Sequence, residues 1–280
     1  REMELRNMFD VEAAFLNAEL EIPMYLEWPE QMKNLGFITE QEEKTKCIKL
    51  VRLMYGNVDA ALRWMKAFVK ACTSKEIGCK QSAVDPCLLF KHDENGELKL
   101  LIAIYIDDVI IAGKKEEIRN FKNEFRKIYK ITDLGNLRRH LGIWFEWIND
   151  DNGERAIKLN MDDMAEKIVK EYEKLTGNLL KTWKTPGYTS LKLRKPSDET
   201  EIIKEKEYRS MVGKAMYYVN KVCPLCLSIT RELAKYFNCP TSEHWKALTR
   251  LMGYIKGTIR KGRILRRPKE MRIIAFTDSD

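Results

Sequence analysis

The chain has 280 residues, 44% of them apolar and 33% charged, with 14 Gly and 8 Pro. That composition excludes a disordered tail or a fibrous repeat and provides for one large domain or two ordinary ones. The net charge is +8 and it is localised: nine cations between Arg250 and Arg272 stand against Glu270 alone, a cluster that points to an anionic partner, nucleic acid first.

The longest apolar stretch, Leu98 to Ala112, is interrupted by Lys99, Asp107 and Asp108 and falls short of the ~20 residues of a membrane span, so no membrane partner is expected. Seven irregularly spaced Cys and no apolar signal segment point to reduced thiols in an intracellular compartment. The chain begins at Arg1 rather than Met and stops just after the apolar run Ile273 to Phe276, so it reads as a piece of a longer polypeptide.

In chain order, Met3 to Phe9 reads as a strand with Asp10 at its end, followed by a helix-like segment. Lys46 to Met54 reads as a second strand. Ala60, Ala61, Trp64, Phe68 and Cys72 then recur at helical spacing and should pack on a sheet. Two apolar runs, Leu98 to Ile106 and Val109 to Ala112, are separated by Asp107 and Asp108 in the pattern of a tight hairpin. A helix with Ile118, Phe121, Phe125 and Ile128 on one face follows. The acidic loop Asn149 to Glu154 is taken as a domain boundary, beyond which the chain reads as helical. Asn160 is placed as the cap of a helix whose face is Met161, Met164, Ile168, Tyr172 and Leu175, with Gly177 ending it. Lys184 to Lys204 reads as an extended linker. Three helices follow, around Tyr208 to Val222, Cys226 to Asn238 and Ser242 to Lys256, the last presenting Trp245, Leu248, Leu251 and Ile255. No fixed-period repeat is present.

The segment IAIYIDDVIIAG, Ile102 to Gly113, carries the chemistry. Two adjacent carboxylates between apolar strands repel one another and lose hydration, so a cation belongs beside them. Mg²⁺ suits hard oxygen ligands and uses one or two carboxylates together with substrate phosphates. The plain alternative is an exposed Asp-Asp turn. Asp10, at another strand end within FDVEAAFLN, supplies a third carboxylate for two ions that clamp the attacking and leaving oxygens of a phosphoryl transfer.

With these residues in place, the sequence resembles the reverse transcriptase region of a copia-type LTR retrotransposon polyprotein over almost its whole length. DVEAAFLNAEL and MYLEWPEQM resemble the family's DVKTAFLNGDL and YMEQPEGF, and LVRLMYGNVDAALRW is similar to KLKKSLYGLKQAPRAW. DPCLLF, YIDDVIIAG and TDLGNLRRHLGI follow in order, then YRSMVGKAMYYVNKVCP, PTSEHWKALTRLMGYIKGT and FTDSD.

The resemblance implies an α+β fold. A polymerase palm on an antiparallel sheet with partial fingers occupies residues 1–150, a mostly helical thumb and connection 151–268, and the first strand of a truncated ribonuclease H domain 269–280. It makes Asp10, Asp107 and Asp108 the catalytic, metal-binding carboxylates for two Mg²⁺ ions, with Mn²⁺ as substitute. It also makes Phe15 the sugar gate, and Tyr55, Gly56 and Tyr105 nucleotide contacts. Leu141 and Gly142 become the primer grip, and Asp278 the first ribonuclease H carboxylate. The implied partners are an RNA or DNA primer–template, deoxynucleoside triphosphates and the rest of the polyprotein, in the cytoplasm within a virus-like particle and with entry to the nucleus. The rival reading is a nucleic-acid-binding remnant without turnover.

The sequence departs from the family at Val58 to Ala61, where a cation is lost and Asp59 introduced, and at Cys223, Leu225 and Gly253. The first departure implies weakened nucleotide or template contact, and the last three read as relaxed constraint. Cys223, Cys226, Cys239 and His244 have zinc-like spacing, but a helix between Cys226 and Cys239 at ~1.5 Å per residue would hold them roughly 20 Å apart. Zinc is therefore discounted. His92 and His140 have no ligand partner at metal spacing.

Overall fold

The computed structural model describes residues 5–188, 193–197, 201–268, 270 and 275, with Leu5 as backbone only. The chain forms two compact units, Arg1–Leu137 and Arg138–Asp280, both mixing helix with antiparallel sheet. The α+β expectation therefore holds.

The first unit contains β1 (Leu5–Val11), β2 (Tyr25–Leu26), α1 (Glu30–Asn34), α2 (Glu40–Thr45), β3 (Ile48–Lys49) and α3 (Ala60–Cys72). It continues through β4 (Lys80–Gln81), β5 (Leu88–His92), β6 (Leu98–Tyr105), β7 (Asp108–Gly113), α4 (Lys115–Arg126) and β8 (Ile131–Asn136). Its main sheet has the order β4-β5-β6-β7-β1-β8. Strict alternation gives this sheet two different faces. Phe9 and Val11 on β1, Leu100, Ile102 and Ile104 on β6, and Val109 and Ile111 on β7 are all buried, as a period of two requires when one face is covered. The cover is α3, through Trp64 and Phe68, and α4, through Ile118, Phe121 and Phe125. Phe9 lies 5.7 Å from Phe125, and Phe125 lies 5.2 Å from Phe68, ring centroid to centroid. The other face, which includes Tyr105, Asp108 and Asp10, is only partly covered.

The second unit contains β9 (Arg139–His140), β10 (Ile143–Asn149), β11 (Arg155–Asn160), α5 (Asp162–Thr176), α6 (Glu205–Val222), α7 (Leu227–Ala234), α8 (Ser242–Thr258) and β12 (Arg263–Arg266). Its sheet has the order β12-β11-β10-β9. Leu159, Ile157, Phe145 and Ile143 pack from that sheet onto the helical core. Within the core, Trp245 meets Tyr208 and Tyr172 at 5.6 and 6.1 Å between ring centroids. Each polar tip is satisfied: the Trp245 indole donates to the Ile203 carbonyl at 2.9 Å and the Tyr208 hydroxyl to that of Leu233 at 3.0 Å.

Several expectations need correction. Asp10 is inside β1 rather than beyond it. The Lys46 to Met54 strand shrinks to Ile48–Lys49, because its partner Tyr25–Leu26 is bounded by Pro23 and Pro29, which have no N–H to extend a ladder. Ile128 lies past α4 and is exposed. Asn149 to Glu154 is no boundary; it is the turn between β10 and β11, and the units divide at Leu137. The start of the second unit is accordingly sheet, not helix. Asn160 does not cap α5. It closes β11 and donates to the Glu146 carboxylate at 2.6 Å. Gly177 does end α5, in a left-handed conformation with φ 71°. The segment 269–280, with Asp278, is the expected ribonuclease H start; Asp278 and most of that segment lie outside the described residues.

The segment after α5 binds as a strap across α8. Trp183 N–H donates to the Gly253 carbonyl at 3.3 Å. The Arg250 guanidinium lies 4.4 Å from the Trp183 ring and 3.8 Å from the Tyr188 ring, and donates to Thr185 Oγ1 at 2.7 Å. A Cβ at Gly253 would collide with the Lys181 carbonyl oxygen and the Trp183 ring, so the close approach of the strap uses the absence of a side chain at this position. Gly253→Ala is expected to cost about 1–3 kcal/mol, the usual range for overpacking. Thermal unfolding followed by circular dichroism measures it, and an unchanged melting temperature would show that the strap is free to lift.

Candidate active site

Four strands place one row of residues across the open face of the first sheet. Tyr105 on β6 is paired with Asp108 on β7, Asp108 with Asp10 on β1, and Asp10 with Thr132 on β8. Directly opposed residues in antiparallel strands point to the same face, so Asp10 and Asp108 are neighbours on it. Asp107 belongs to the same end of the sheet: its carbonyl accepts from Val11 N–H at 3.0 Å.

The hairpin that carries the carboxylates turns on Ile106 and Asp107, one residue earlier than the sequence suggests, and Asp108 already opens β7. Ile106 has φ 58°. Positive φ at the first central residue alone is what a two-residue II′ turn demands, a place Gly normally takes; a β-branched residue there is strained. The Trp64 indole N–H, from a ring 1% exposed on α3, donates to the Ile106 carbonyl at 2.6 Å. Neither Ile106 nor this role of Trp64 was legible as part of the site; the spacing of Trp64 signals only a core face.

Partial burial, followed by the negative charges of Asp107, Asp108 and Glu12, raises the Asp10 carboxyl above its ordinary value. Glu12 is itself held low, first by its bond to Lys130, whose ammonium lies 2.7 Å away, and it accepts from Thr132 Oγ1 at 3.1 Å. The site thus gathers hard oxygen donors, the ligand type that suits a divalent cation. Among the described residues no group of three carboxylates, thiols or imidazoles is closed around a common point.

Phe15 follows in a 3₁₀ turn, Ala14–Asn17, entered through Ala13 at φ 51°. Its ring is half-buried against the first core and meets Tyr55 edge-on at 4.9 Å. Tyr55 and Gly56 are the central residues of a turn closed by Asn57 N–H to the Met54 carbonyl, 3.2 Å. Gly56 has φ 100°, the position that a type II turn reserves for Gly, and Tyr55 is left exposed. The anion introduced at Asp59 is paired with Arg63, which also reaches Glu21 at 2.8 Å.

In the second unit, Leu141 and Gly142 form the turn of the β9–β10 hairpin with φ 49° and 78°. Both values are positive, as in a I′ turn, and the Leu141 carbonyl accepts from the Tyr217 hydroxyl at 3.0 Å. The basic stretch divides into engaged and exposed members. Arg250 is stacked in the strap, Lys256 is 2.7 Å from Glu173 and Arg266 is 2.7 Å from Asp150, whereas Arg260 and Lys261 are exposed. Of the zinc-like set, His244 is turned to Thr241, whose N–H donates to its Nδ1 at 2.9 Å, while Cys223 and Cys226 are in sulfur contact.

The first sheet thus carries helices on one face and acidic residues at the hairpin end of the other. Residues 2–186 match the family described as reverse transcriptase (RNA-dependent DNA polymerase), and the chain belongs to that family. Its relatives make it the reverse transcriptase region of a copia-type Pol polyprotein. It is 28% identical over 256 residues to a retrovirus-related Pol polyprotein from transposon TNT 1-94 of Nicotiana tabacum, an alignment covering 89% of this chain and 18% of that polyprotein. It is 28% identical over 253 residues to a putative transposon Ty5-1 protein of Saccharomyces cerevisiae, covering 89% of this chain and 75% of that protein. The Pol polyprotein from transposon RE1 of Arabidopsis thaliana is 24% identical over 272 residues, 97% of this chain and 17% of its own length. The chain thus spans less than a fifth of the two named Pol polyproteins. Among the described residues, no helix is long and apolar enough to cross a membrane.

The raised Asp10 carboxyl has a consequence for stability. A carboxyl with a folded value above its unfolded one contributes stability that is complete below the unfolded value and lost as pH rises through the folded one. Without divalent ions, Asp10→Asn is therefore expected to melt higher than the parent chain at pH 7, and the difference should shrink as pH falls towards 3.8, the ordinary value. Parallel thermal melts across that range measure it; a difference independent of pH would show that the neighbouring charges do not act on Asp10.

Proposed function

We propose that this region catalyses template-directed transfer of a deoxynucleotidyl group to a primer 3′-hydroxyl, on RNA or DNA templates. The observation that carries the reading is the cross-strand pairing of Asp10 with Asp108, with Asp107 in the turn beside them. In this reading the first unit is the palm with part of the fingers, and the second is thumb and connection.

Asp10, Asp107 and Asp108 would hold two Mg²⁺ ions, or Mn²⁺ in their place. Bound there, the ions supply Lewis-acid stabilisation of charge on the attacking and leaving oxygens. The chain's own residues orient the reactants. Phe15 sets its ring where a ribose 2′-hydroxyl would come, Tyr55 and Gly56 offer an exposed turn to the incoming nucleotide, and Tyr105 extends the carboxylate row. Leu141 and Gly142 present backbone to the primer strand, which a Gly allows to approach closely.

Primer extension by the 280-residue chain, with annealed template, deoxynucleoside triphosphates and Mg²⁺, tests the reading. Asp107→Asn should lower extension by about a hundredfold or more, since metal stabilisation of the transition state amounts to several kcal/mol. Mg²⁺ should raise the melting temperature of the parent chain and not of Asp10→Asn. A parent chain that binds primer–template yet extends it no faster than Asp107→Asn would instead mark a binding remnant.

The gate assignment has its own test. Phe15→Val should relax discrimination against ribonucleotides while deoxynucleotides still serve, each ~1.4 kcal/mol of lost clash being tenfold in selectivity. Loss of core packing alone would depress both classes together and lower the melting temperature, in line with a cavity cost of roughly 2–5 kcal/mol. An unchanged deoxy-to-ribo ratio in single-nucleotide kinetics would assign Phe15 to the core.

A further inference from the structure

Cys223 and Cys226 frame the junction between α6 and α7 in the order Cys-Pro-Leu-Cys. Cys223 caps the end of α6, and a single 3₁₀ turn, Pro224–Cys226, runs from it directly into α7. The Cys226 N–H donates to the Cys223 carbonyl at 3.0 Å, a closed turn that keeps the two Cα atoms within about 7 Å and so within the reach of a disulfide. The two sulfurs are 3.4 Å apart. Among the seven thiols, all described, theirs is the one sulfur–sulfur contact. The pair is asymmetric, because Cys223 is half-buried whereas Cys226 is fully buried.

We propose that Cys223 and Cys226 form a redox-active dithiol, which hydrogen peroxide closes to a disulfide and a small thiol reopens. The Sγ of Cys223, the more accessible sulfur, attacks one peroxide oxygen. An S–O bond forms, the O–O bond breaks, and hydroxide leaves to take up a proton as water. The Cys226 thiol then gives up its proton and attacks the Cys223 sulfur. The S–S bond forms, the S–O bond breaks, and the second hydroxide departs with that proton as water. Two thiols and one peroxide give one disulfide and two waters. The sulfurs must close from 3.4 Å to about 2.05 Å, a displacement small enough for side-chain rotation within the turn.

The electrostatics agree with this division of labour. The Cys226 thiol donates to Cys223 and holds it below its ordinary value, as happens in Cys-x-x-Cys motifs, while Cys226 is pushed up by that bond and by burial. Other thiols lack this arrangement. Cys72 and Cys79 are buried, and burial pushes both up, Cys79 to about 11.

Treatment of the reduced 280-residue chain with hydrogen peroxide tests the proposal. Two of the seven alkylatable thiols should be lost, the intact mass should fall by two hydrogens, and peptide mapping should join Cys223 to Cys226. Dithiothreitol should restore all seven thiols. In Cys226→Ser, dimedone should trap a sulfenic acid at Cys223, whereas Cys223→Ser should yield neither disulfide nor adduct at Cys226. Iodoacetamide should modify Cys223 at least about tenfold faster than Cys226 in the reduced chain. Retention of seven thiols after peroxide, a disulfide joining other cysteines, or irreversible oxidation of Cys223 without a disulfide would each overturn it. The mapping of the parent chain decides the matter even where a variant fails to fold.

Discussion

The hydrogen bond from the buried indole of Trp64 to the carbonyl of Ile106 ties the helix beneath the sheet to the turn that carries the acidic pair. A β-branched residue in the left-handed region costs roughly 1–2 kcal/mol, and one hydrogen bond returns about 0.5–1.5. The bond alone does not hold the turn. Its leverage comes from the setting of the ring, which is packed edge-on against Phe68 and Tyr129 at 6.0 and 5.1 Å. Moving the donor would disturb the aromatic core that α3 and α4 share with β1. The position of Asp107 is in this way fixed by packing on the opposite face of the sheet.

The ladder then transmits that position. With Ile106 set, Asp108 begins β7 opposite Asp10, and the bond from Val11 N–H to the Asp107 carbonyl closes the last rung. Backbone pairing therefore brings together side chains that repel one another, and the cost appears where it is expected, in the raised Asp10 carboxyl. Lys130 answers Glu12 at the rim. Main-chain hydrogen bonds thus hold Asp10 and Asp108 side by side against their own electrostatics, and a group perturbed by such neighbours is a candidate functional residue.

The parts of this architecture that repeat were legible in the sequence. The faces of α3, α5 and α8 follow a 3.6-residue period, and the two strands of the acidic hairpin are apolar runs long enough to identify. The acidic residues themselves stood out because charge inside such runs is anomalous. What stayed hidden depends on partners remote in sequence. The length of β3 is set by prolines flanking β2, Asn160 is diverted from capping by Glu146 on the neighbouring strand, and the second sheet needs β12, some hundred residues after β11. The hairpin turn was displaced by one residue because Ile106 looks like strand; only the packing of Trp64 makes a left-handed isoleucine tolerable.

Backbone strain follows the same map. Among the described residues the non-glycine positions with positive φ are Ala13, Ile106, Leu141 and Lys204. The first three lie immediately before or within the segments assigned to Phe15, Asp107 and the Leu141–Gly142 turn. Strain of this kind persists only where the surroundings over-determine it, and at two of the three the restraint is visible: Trp64 binds the carbonyl of Ile106 and Tyr217 that of Leu141. The departures from the family pattern obey a related logic. Gly253 makes room for the strap, Asp59 is answered by Arg63, and Cys223 meets the sulfur of Cys226. These three positions are accommodated by their packing, and the acidic row at the open face of the first sheet is held by the backbone pairing of β1 with β7.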